Sequence, residues 1–314
     1  MRPKRINVGG QAVIEGVLIR GPNRYVVSVR KGRKIISKQD KIPAKRYKFL
    51  KWPFVRGFIG LAEMMVIGIK SLMWSAEQIG GKGEKIGKNE ILFTFLLSIG
   101  AVIVFFIALP YFLANLIGFR EESMPLRFNL IDGAIRILIF LAYITAISFM
   151  KDVNILFQYH GAEHKAIHCY EKGKKLSVSN VKKFTTLHPR CGTSFLLIVF
   201  IVSVLVFSIL PSLIIHYYPS FINLSYWLRK GVLIPARILL IPFIAGISYE
   251  ILKISDKRQK SMLFRLISMP GLALQKITTK EPTEKQIEVA IYSLKKLIEL
   301  EKSSRNKVSW ELKN

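Results

Sequence analysis

The sequence has little cysteine and little acidic charge. Two cysteines among 314 residues are too few for the disulfide framework of a small secreted domain. Only 20 acidic residues stand against 48 lysines and arginines, which gives a formal net charge of +28. Such a basic excess indicates an anionic neighbour, either nucleic acid or an acidic lipid surface. Because no recognisable nucleic-acid-binding module is present, we expect membrane lipids with anionic headgroups as partners, and nucleic acid is not favoured.

Hydrophobic residues make up 51% of the chain although 22% of residues are charged, and the apolar residues are gathered into blocks. Four blocks approach or exceed the ~20 residues that cross a bilayer core, namely 91–118, 131–150, 194–218 and 231–252. The sequence therefore predicts a mainly α-helical membrane protein with about four transmembrane helices.

A fifth apolar segment, residues 52–80, carries Arg56, Glu63 and Lys70 at intervals of seven residues. This spacing puts the three charges on one stripe of a helix. It favours an amphipathic helix that lies at the membrane interface, or packs against the bundle, over an ordinary span. The pattern alone does not decide whether the segment crosses the membrane.

The distribution of basic residues predicts the topology. Residues 1–56 carry 16 Lys/Arg against 2 Asp/Glu, and 151–193 carry 8 against 3, whereas 119–130 carry 2 against 2. The tail, 253–314, carries 14 against 7. Cytoplasmic loops hold the excess of Lys and Arg. We therefore expect a multi-pass protein of the cell membrane with both termini, and the 151–193 connection, in the cytoplasm.

Four regions follow from these patterns. Residues 1–50 are predicted to be a basic, β-rich cytoplasmic region, because short β-branched runs alternate with glycine-containing turns. Residues 51–90 form the amphipathic helix and a linker, and 91–252 form the four-span membrane domain with its cytoplasmic segment 151–193. The tail, 253–314, is predicted to hold a short apolar helix that Pro270-Gly271 stops, and an amphipathic helix from Thr283 to Glu301.

Residues capable of metal binding are concentrated in one short window of that cytoplasmic segment. Between residues 160 and 191 the chain places four of its five histidines and both cysteines: His160, His164, His168, His188, Cys169 and Cys191. Imidazole and thiolate are the side chains that bind transition metals and transfer protons. The window is therefore the candidate site of chemistry.

Within the window, His160-Gly-Ala-Glu163-His164 matches the H-x-x-E-H order of one class of zinc hydrolases. At ~100° per residue, a helix would place His160, Glu163, His164, His168 and Glu171 on one face and Cys169 on the opposite face. Two imidazoles four residues apart can hold one zinc ion, and a neighbouring glutamate can act as general base. We therefore interpret His160 and His164 as ligands and Glu163 as the base.

A third ligand has to come from elsewhere. The sequence His188-Pro-Arg190-Cys191 offers His188 or Cys191, with Arg190 beside them as a further candidate for the site. His168 and Glu171 compete for the same role. Glu15 could serve as a ligand or orient one, although an ordinary surface position is the simpler interpretation. The alternative for the whole window is a hydrogen-bonded polar cluster that holds helices together.

Several separated motifs stand in order along the chain: Gly9–Val17, Arg20-Gly21-Pro22, Tyr159–Lys165, His188–Phe195, and Thr278–Pro282 followed by Gln286–Ala290. Together they resemble one known family, the YqhQ family of bacterial membrane proteins. The resemblance implies a membrane protein of unknown function, described as a predicted metal-dependent enzyme. We therefore expect a divalent metal, zinc by preference, in a cytoplasm-facing site that is hydrolytic if it is catalytic. The competing hypothesis is a non-enzymatic membrane protein that binds anionic lipid or a cytoplasmic protein, with the histidines serving a structural purpose.

Overall fold

The computed structural model describes residues 6–43, 47–80, 88–121, 123–258 and 261–311. The described chain is mostly helical, with a small antiparallel sheet at its N-terminal end. Its helices are α1 (Val55–Ile79), α2 (Lys88–Ile103), α3 (Leu109–Leu116), α4 (Pro125–Ile147), α5 (Lys151–Glu171), α6 (Val178–Val181), α7 (Gly192–Tyr217), α8 (Tyr226–Lys257), α9 (Met262–Thr278) and α10 (Glu284–Glu311). A π-helical turn, Val104–Ala108, joins α2 to α3.

The sheet is a meander of four strands that pair in chain order. They are β1 (Gly9–Val13), β2 (Gly16–Arg20), β3 (Arg24–Lys31) and β4 (Lys34–Lys41). Gly32, with φ +60, makes the turn between β3 and β4, a conformation that costs glycine little. The sheet confirms the β-rich character predicted for the N-terminal region.

Both faces of the sheet are covered, because neighbouring residues of a strand point to opposite sides. Val17 and Ile19 pack with buried residues of α5 and α10. Leu18 and Val27 pack on the other side, in a cluster with Ile67 of α1. The sheet is thus the middle layer between α1 and the pair formed by α5 and α10, and it fixes the position of α5.

Within the described ranges, five helices are long and apolar enough to cross a membrane: Val55–Ile79, Leu92–Leu116, Pro125–Ile147, Gly192–Tyr217 and Tyr226–Ser255. The last four coincide with the four predicted blocks, and these apolar helices are compatible with a multi-pass membrane protein. The first is the ambiguous segment 52–80, so by length and composition it adds a fifth candidate to the four that we expected. The linker predicted after it falls largely on residues 81–87, outside the described ranges.

Helix α1 has two different faces. Its sheet-facing side carries Ile67, and Ser75 Oγ there accepts a hydrogen bond from the Ile14 amide at 3.1 Å. Its opposite side exposes large apolar side chains such as Met65 and Ile69. Two members of the charged stripe are paired with other elements: Glu63 accepts from Arg20 of β2, and Arg56 pairs with Glu250 of α8. The amphipathic pattern of this segment therefore corresponds to a helix with one apolar side packed on the sheet and one exposed.

The tail differs from prediction at Pro270-Gly271. These residues were expected to stop a short helix, but α9 runs through them to Thr278, so that prediction was wrong. Gly271 explains the continuation, because a Cβ at this position would lie 2.6 Å from Ser194 Cβ. The glycine lets α9 approach α7 closely, and this contact outweighs the one backbone hydrogen bond that Pro270 removes.

The last helix, α10, begins as predicted and finds its partner within the chain. Thr283 and Gln286 form the expected capping box, in which the Thr283 amide donates to Gln286 Oε1 at 2.8 Å. The apolar side of α10, including Ile287 and Leu294, is fully buried against the sheet and α5. The docking surface that its amphipathic pattern implied is therefore the protein's own core.

Candidate metal centre

Helix α5 carries the H-x-x-E-H segment, and the whole motif is buried. Gly161 lowers helix propensity by roughly 1 kcal/mol, yet it is needed here. A Cβ on Gly161 would overlap the carbonyl oxygen of Lys280. The segment after α9 therefore runs directly against α5, where the Lys280 amide also donates to the Phe157 carbonyl at 3.0 Å.

Three buried side chains of the window converge. One ligand atom each of His160, His164 and Cys191 lies within 4.8 Å of the other two. His160 Nε2 is 3.2 Å from Cys191 Sγ. A group of two imidazoles and one thiol, with this geometry, could hold a metal ion. The structure thus brings together the two predicted histidine ligands and one of the two residues proposed to complete the set.

The tautomers of both histidines follow from their partners. His160 Nδ1 donates to the Thr278 carbonyl at 2.9 Å, and His164 Nδ1 donates to the Thr186 carbonyl. A carbonyl can only accept, so each Nδ1 carries the proton. In the neutral rings each Nε2 is then a bare lone pair facing Cys191. Metal-binding histidines are typically anchored by such a bond from the other ring nitrogen.

Cys191 is the N-cap residue of α7. Its Sγ accepts from the Thr193 amide at 3.4 Å and lies 3.1 Å from Thr193 Oγ1. Burial alone would raise the pKa of the thiol, but the interaction with His164, which acts when that ring is protonated, and the hydrogen bonds from Thr193 hold it below its usual value. The positive end of a helix dipole also favours a thiolate. Thiolate is the form in which cysteine binds metals.

Glu163 lies beside this group. Its Oε2 is 3.5 Å from His164 Nε2 and, among the described residues, has no hydrogen-bond partner. Burial raises the pKa of the carboxyl to about 8, and the charges of Cys191 and Glu171 add to the increase, although His160 opposes it. A buried carboxyl without a partner is costly unless a positive charge is near. A cation held by the three converging residues would supply that charge.

The remaining predicted residues form a second, adjoining cluster. Arg190 pairs with Glu171, whose Oε2 lies 3.3 Å from His188 Nε2. The Arg190 amide donates to His188 Nδ1 at 3.2 Å, so His188 carries its proton on Nε2. Its tautomer is therefore opposite to that of His160 and His164. His188 lies outside the converging group, although its ring centroid is only 5.6 Å from that of His164.

His168 belongs to this second cluster, with its ring centroid 4.5 Å from that of His188. Burial, and then the charge of His188, lowers the pKa of His168 to about 4. Cys169 points away, as helical geometry predicts, and is fully buried in the core near Val181.

Glu15 contacts α5 at Tyr159, the residue that directly precedes the H-x-x-E-H motif. It lies in the turn between β1 and β2 with φ +50, and Tyr159 Oη donates to its Oε2 at 3.1 Å. Its contact with the site therefore runs through Tyr159. Burial and the Glu15 charge raise the pKa of Tyr159, which keeps the phenol protonated.

Several residues that hold the site escaped the sequence analysis. Gly10, which belongs to the Gly9–Val17 motif, lies so close to Glu163 that a Cβ would fall 2.8 Å from Oε1, but that motif gave no sign of a contact with the site. Gln275 of α9 accepts from the His188 amide at 2.7 Å and donates to the His188 carbonyl at 2.9 Å. The carbonyls of Thr186 and Thr278 could not be identified, because a backbone acceptor leaves no trace in sequence.

Comparisons with known proteins identify relatives of this chain. Residues 52–300 match the family model "Protein of unknown function (DUF1385)". The chain is 34% identical over 313 residues to "Uncharacterized protein YqhQ" of Bacillus subtilis (strain 168), a match that covers 93% of this chain and 92% of that protein. No solved structure matches the chain.

Proposed function

Because this chain belongs to the DUF1385, or YqhQ, family of proteins of unknown function, the chemistry of its site is the guide to its activity, and we propose that it is a metal-dependent hydrolase. His160 Nε2, His164 Nε2 and Cys191 Sγ would hold a divalent metal, zinc by preference. Glu163 would be the general base. Two nitrogen donors and one sulfur donor suit zinc or a similar borderline metal.

The observation that carries the proposal is the matched pair of tautomers. Both ligand histidines are fixed by Nδ1–H bonds to backbone carbonyls, and both free nitrogens face one thiol. A polar cluster that only joined helices would not need two lone pairs and a sulfur within 4.8 Å of one another. His188, whose two ring nitrogens are occupied by the Arg190 amide and by Glu171, is an internal comparison for this argument.

Three protein ligands favour catalysis over a structural metal. Structural zinc sites close with four protein ligands, whereas catalytic sites keep one position for water. A bound divalent metal lowers the pKa of such a water to ~7. Glu163, beside the ligands and short of partners, is placed to accept a proton and to pass it to a leaving group.

The site would act at the cytoplasmic face of the membrane. Cys191 directly precedes α7, one of the five apolar candidate spans, so the donor group lies at a helix end. The excess of Lys and Arg in 151–193 supports a cytoplasmic position for that end. Exposed lysines on the edge strand β4, Lys34, Lys38 and Lys41, would contact anionic headgroups. A cytoplasmic protein is the alternative partner for this basic edge.

Metal content tests the first half of the proposal, and the chain provides matched controls. We expect purified wild-type protein to carry about one zinc or iron per chain by mass spectrometry of the elements, since intact sites of this kind bind tightly. Cys191→Ser and His164→Asn should lose the metal. Cys169→Ser and His168→Asn, which change the same residue types outside the site, should keep it. Metal-free wild-type protein, or equal loss in both sets, would refute the site.

Cobalt(II) substitution tests whether the fourth position is open. Adding acetohydroxamate, a bidentate metal ligand, should change the visible spectrum of the cobalt protein if a position exchanges with solvent. Glu163→Gln should keep the cobalt spectrum but lower hydrolysis of p-nitrophenyl acetate by about 10²-fold or more. A spectrum that acetohydroxamate leaves unchanged would indicate a closed, structural site and would sink the hydrolase proposal.

A further inference from the structure

A second group of charged residues lies inside the apolar bundle, far from the candidate metal centre. Arg136 and Asp132 of α4 form an ion pair at 2.7 Å. Arg237 of α8 donates to Asn129 Oδ1 of α4 at 2.9 Å and lies over the ring of Phe207 in α7. The group thus joins three of the candidate spans.

These charges lie inside the apolar blocks of their helices. Arg136 and Arg237 stand five and six residues after the first residues of the blocks 131–150 and 231–252, about 8 to 9 Å along the axis at 1.5 Å per residue. That is about a quarter to a third of a ~30 Å hydrocarbon core. In the predicted topology both helices begin on the outer side, so the two arginines lie at similar depth. Both therefore lie nearer to the outer surface than to the middle of the membrane.

Arg237 is held by polar groups of the neighbouring helix. Its guanidinium donates to Asn129, near the start of α4, and it interacts electrostatically with Asp132, Arg136 and Glu121. The side chain therefore ends in a polar group between helices, which an arginine that only snorkels to the surface does not require. Charged side chains that face the interior of a membrane bundle commonly mark a functional site.

The charges in the described part of the cluster do not cancel. Lys230 and Glu121 neutralise each other in a pair at 2.7 Å. The remaining set is two arginines against Asp132, which is an excess of one positive charge. A charge inside an apolar bundle is costly when it is not compensated. The excess favours an anionic ligand.

The hydrogen-bonding groups also remain incomplete. Among the described residues, Nε of Arg136 and Nε of Arg237 are buried donors without an acceptor. Asp132 Oδ1 is a buried acceptor without a donor, on a side chain that is only 8% exposed. A ligand that satisfies all three atoms must present oxyanion acceptors together with one hydrogen-bond donor. Guanidinium groups match phosphate oxygens in geometry and charge.

We propose that Asp132, Arg136 and Arg237 form a binding site for an anionic phosphate group that carries a hydroxyl. Phosphate oxygens accept from the two arginines, and the hydroxyl donates to Asp132. Two sources have this chemistry: the phosphoglycerol headgroup of an anionic phospholipid, and free dihydrogen phosphate. The site is independent of the candidate metal centre.

Native mass spectrometry of the delipidated full-length protein tests the proposal. We expect wild type to retain phosphatidylglycerol and not phosphatidylcholine. Arg237→Lys keeps the positive charge opposite Asp132, and hence the fold, but lacks the second nitrogen of the fork, so its affinity should fall at least about tenfold. Arg136→Lys is the second variant. Arg127→Gln is the control, because Arg127 is exposed on the same helix.

Inorganic phosphate separates the two sources. If phosphate displaces phosphatidylglycerol and raises the melting temperature of wild type but not of Arg237→Lys, the ligand is a soluble phosphate. If phosphatidylglycerol binds and phosphate has no effect, the ligand is the lipid. If neither binds wild type, or if Arg237→Lys and Arg136→Lys bind like wild type, the proposal is overturned and the cluster only joins the helices.

Discussion

Replacing Gly161 by alanine separates helix propensity from the geometry of the candidate metal centre. In an isolated helix the change would stabilise by about 1 kcal/mol. In the protein, the new Cβ would lie well inside 3.0 Å of the Lys280 carbonyl oxygen and 3.2 Å from Thr186 Cγ2. Backbone has to move, and overpacking of this kind costs about 1–3 kcal/mol. We expect a net loss of up to about 2 kcal/mol.

The same displacement acts on the ligands. The segment that must move includes Thr278, whose carbonyl accepts from His160 Nδ1, and lies opposite Thr186, whose carbonyl accepts from His164 Nδ1. Loss of such an anchoring bond lowers metal affinity by about 10- to 100-fold. Gly161→Ala should therefore bind metal more weakly, even at temperatures where it is fully folded.

Competition with a fluorescent zinc chelator, together with thermal unfolding in detergent, measures both effects. Gly60→Ala is the matched control, because Gly60 is also helical but has nothing within 4 Å of its Cβ position. The control should keep its metal affinity and gain stability. If Gly161→Ala bound zinc like wild type and melted no lower, the reasoning that links this glycine to the ligand anchors would be wrong.

Two further predictions concern stability. Glu301→Ala should lower the free energy of unfolding by about 3 kcal/mol, because this buried carboxylate accepts from the amides of Asn23 and Arg24 at 2.8 and 2.9 Å. Thermal unfolding measures the loss, and Glu299→Ala, at an exposed position of the same helix, is the control. His168, whose pKa is lowered from 6.5 to about 4, favours the folded state when neutral. The metal-free protein should therefore lose stability as pH falls from about 6.5 to about 4, and His168→Asn should remove that part of the loss. The loss of stability that His168 contributes is at most about 3 kcal/mol, and solvent screening of the partly exposed ring makes it smaller.

Each prediction has a clear contrary result. Equal melting temperatures of Glu301→Ala and Glu299→Ala would show that the bonds to the β2–β3 turn contribute little. Unchanged pH dependence in chelator-treated His168→Asn would show that another group controls acid destabilisation.

The large features of this protein follow from patterns that local physics controls. Blocks of about twenty apolar residues can hardly be anything but helices, so four candidate spans coincide with the predicted segments. The β-rich N-terminal region and the capping box at Thr283 likewise depend on residues close in sequence. Prediction was wrong at Pro270-Gly271, because a tertiary contact with Ser194 keeps α9 continuous where local propensity favours a stop.

The candidate site was predicted in part for the same reason. The spacing of His160 and His164 on one helix is local, and both are in the converging group. Which of His188 and Cys191 joins the two histidines cannot be predicted from local sequence. The two residues are three positions apart, yet in the fold they face different partners. In His188, Nε2 donates to Glu171 and Nδ1 accepts from the Arg190 amide, so both ring nitrogens are occupied. Cys191 Sγ is therefore the donor that lies beside the free Nε2 atoms of His160 and His164.

The sequence by itself determined that this protein has apolar helices in blocks, a basic excess, and a histidine- and cysteine-rich segment on one helix, because composition and helical periodicity are enough for each. Only the tertiary structure decided which metal-binding side chains lie together and which ring nitrogen of each histidine carries the proton. Those properties depend on carbonyls of Thr186 and Thr278, and Thr278 lies more than a hundred residues from the ring that it anchors. Backbone acceptors have no residue type of their own, so only the folded chain reveals them.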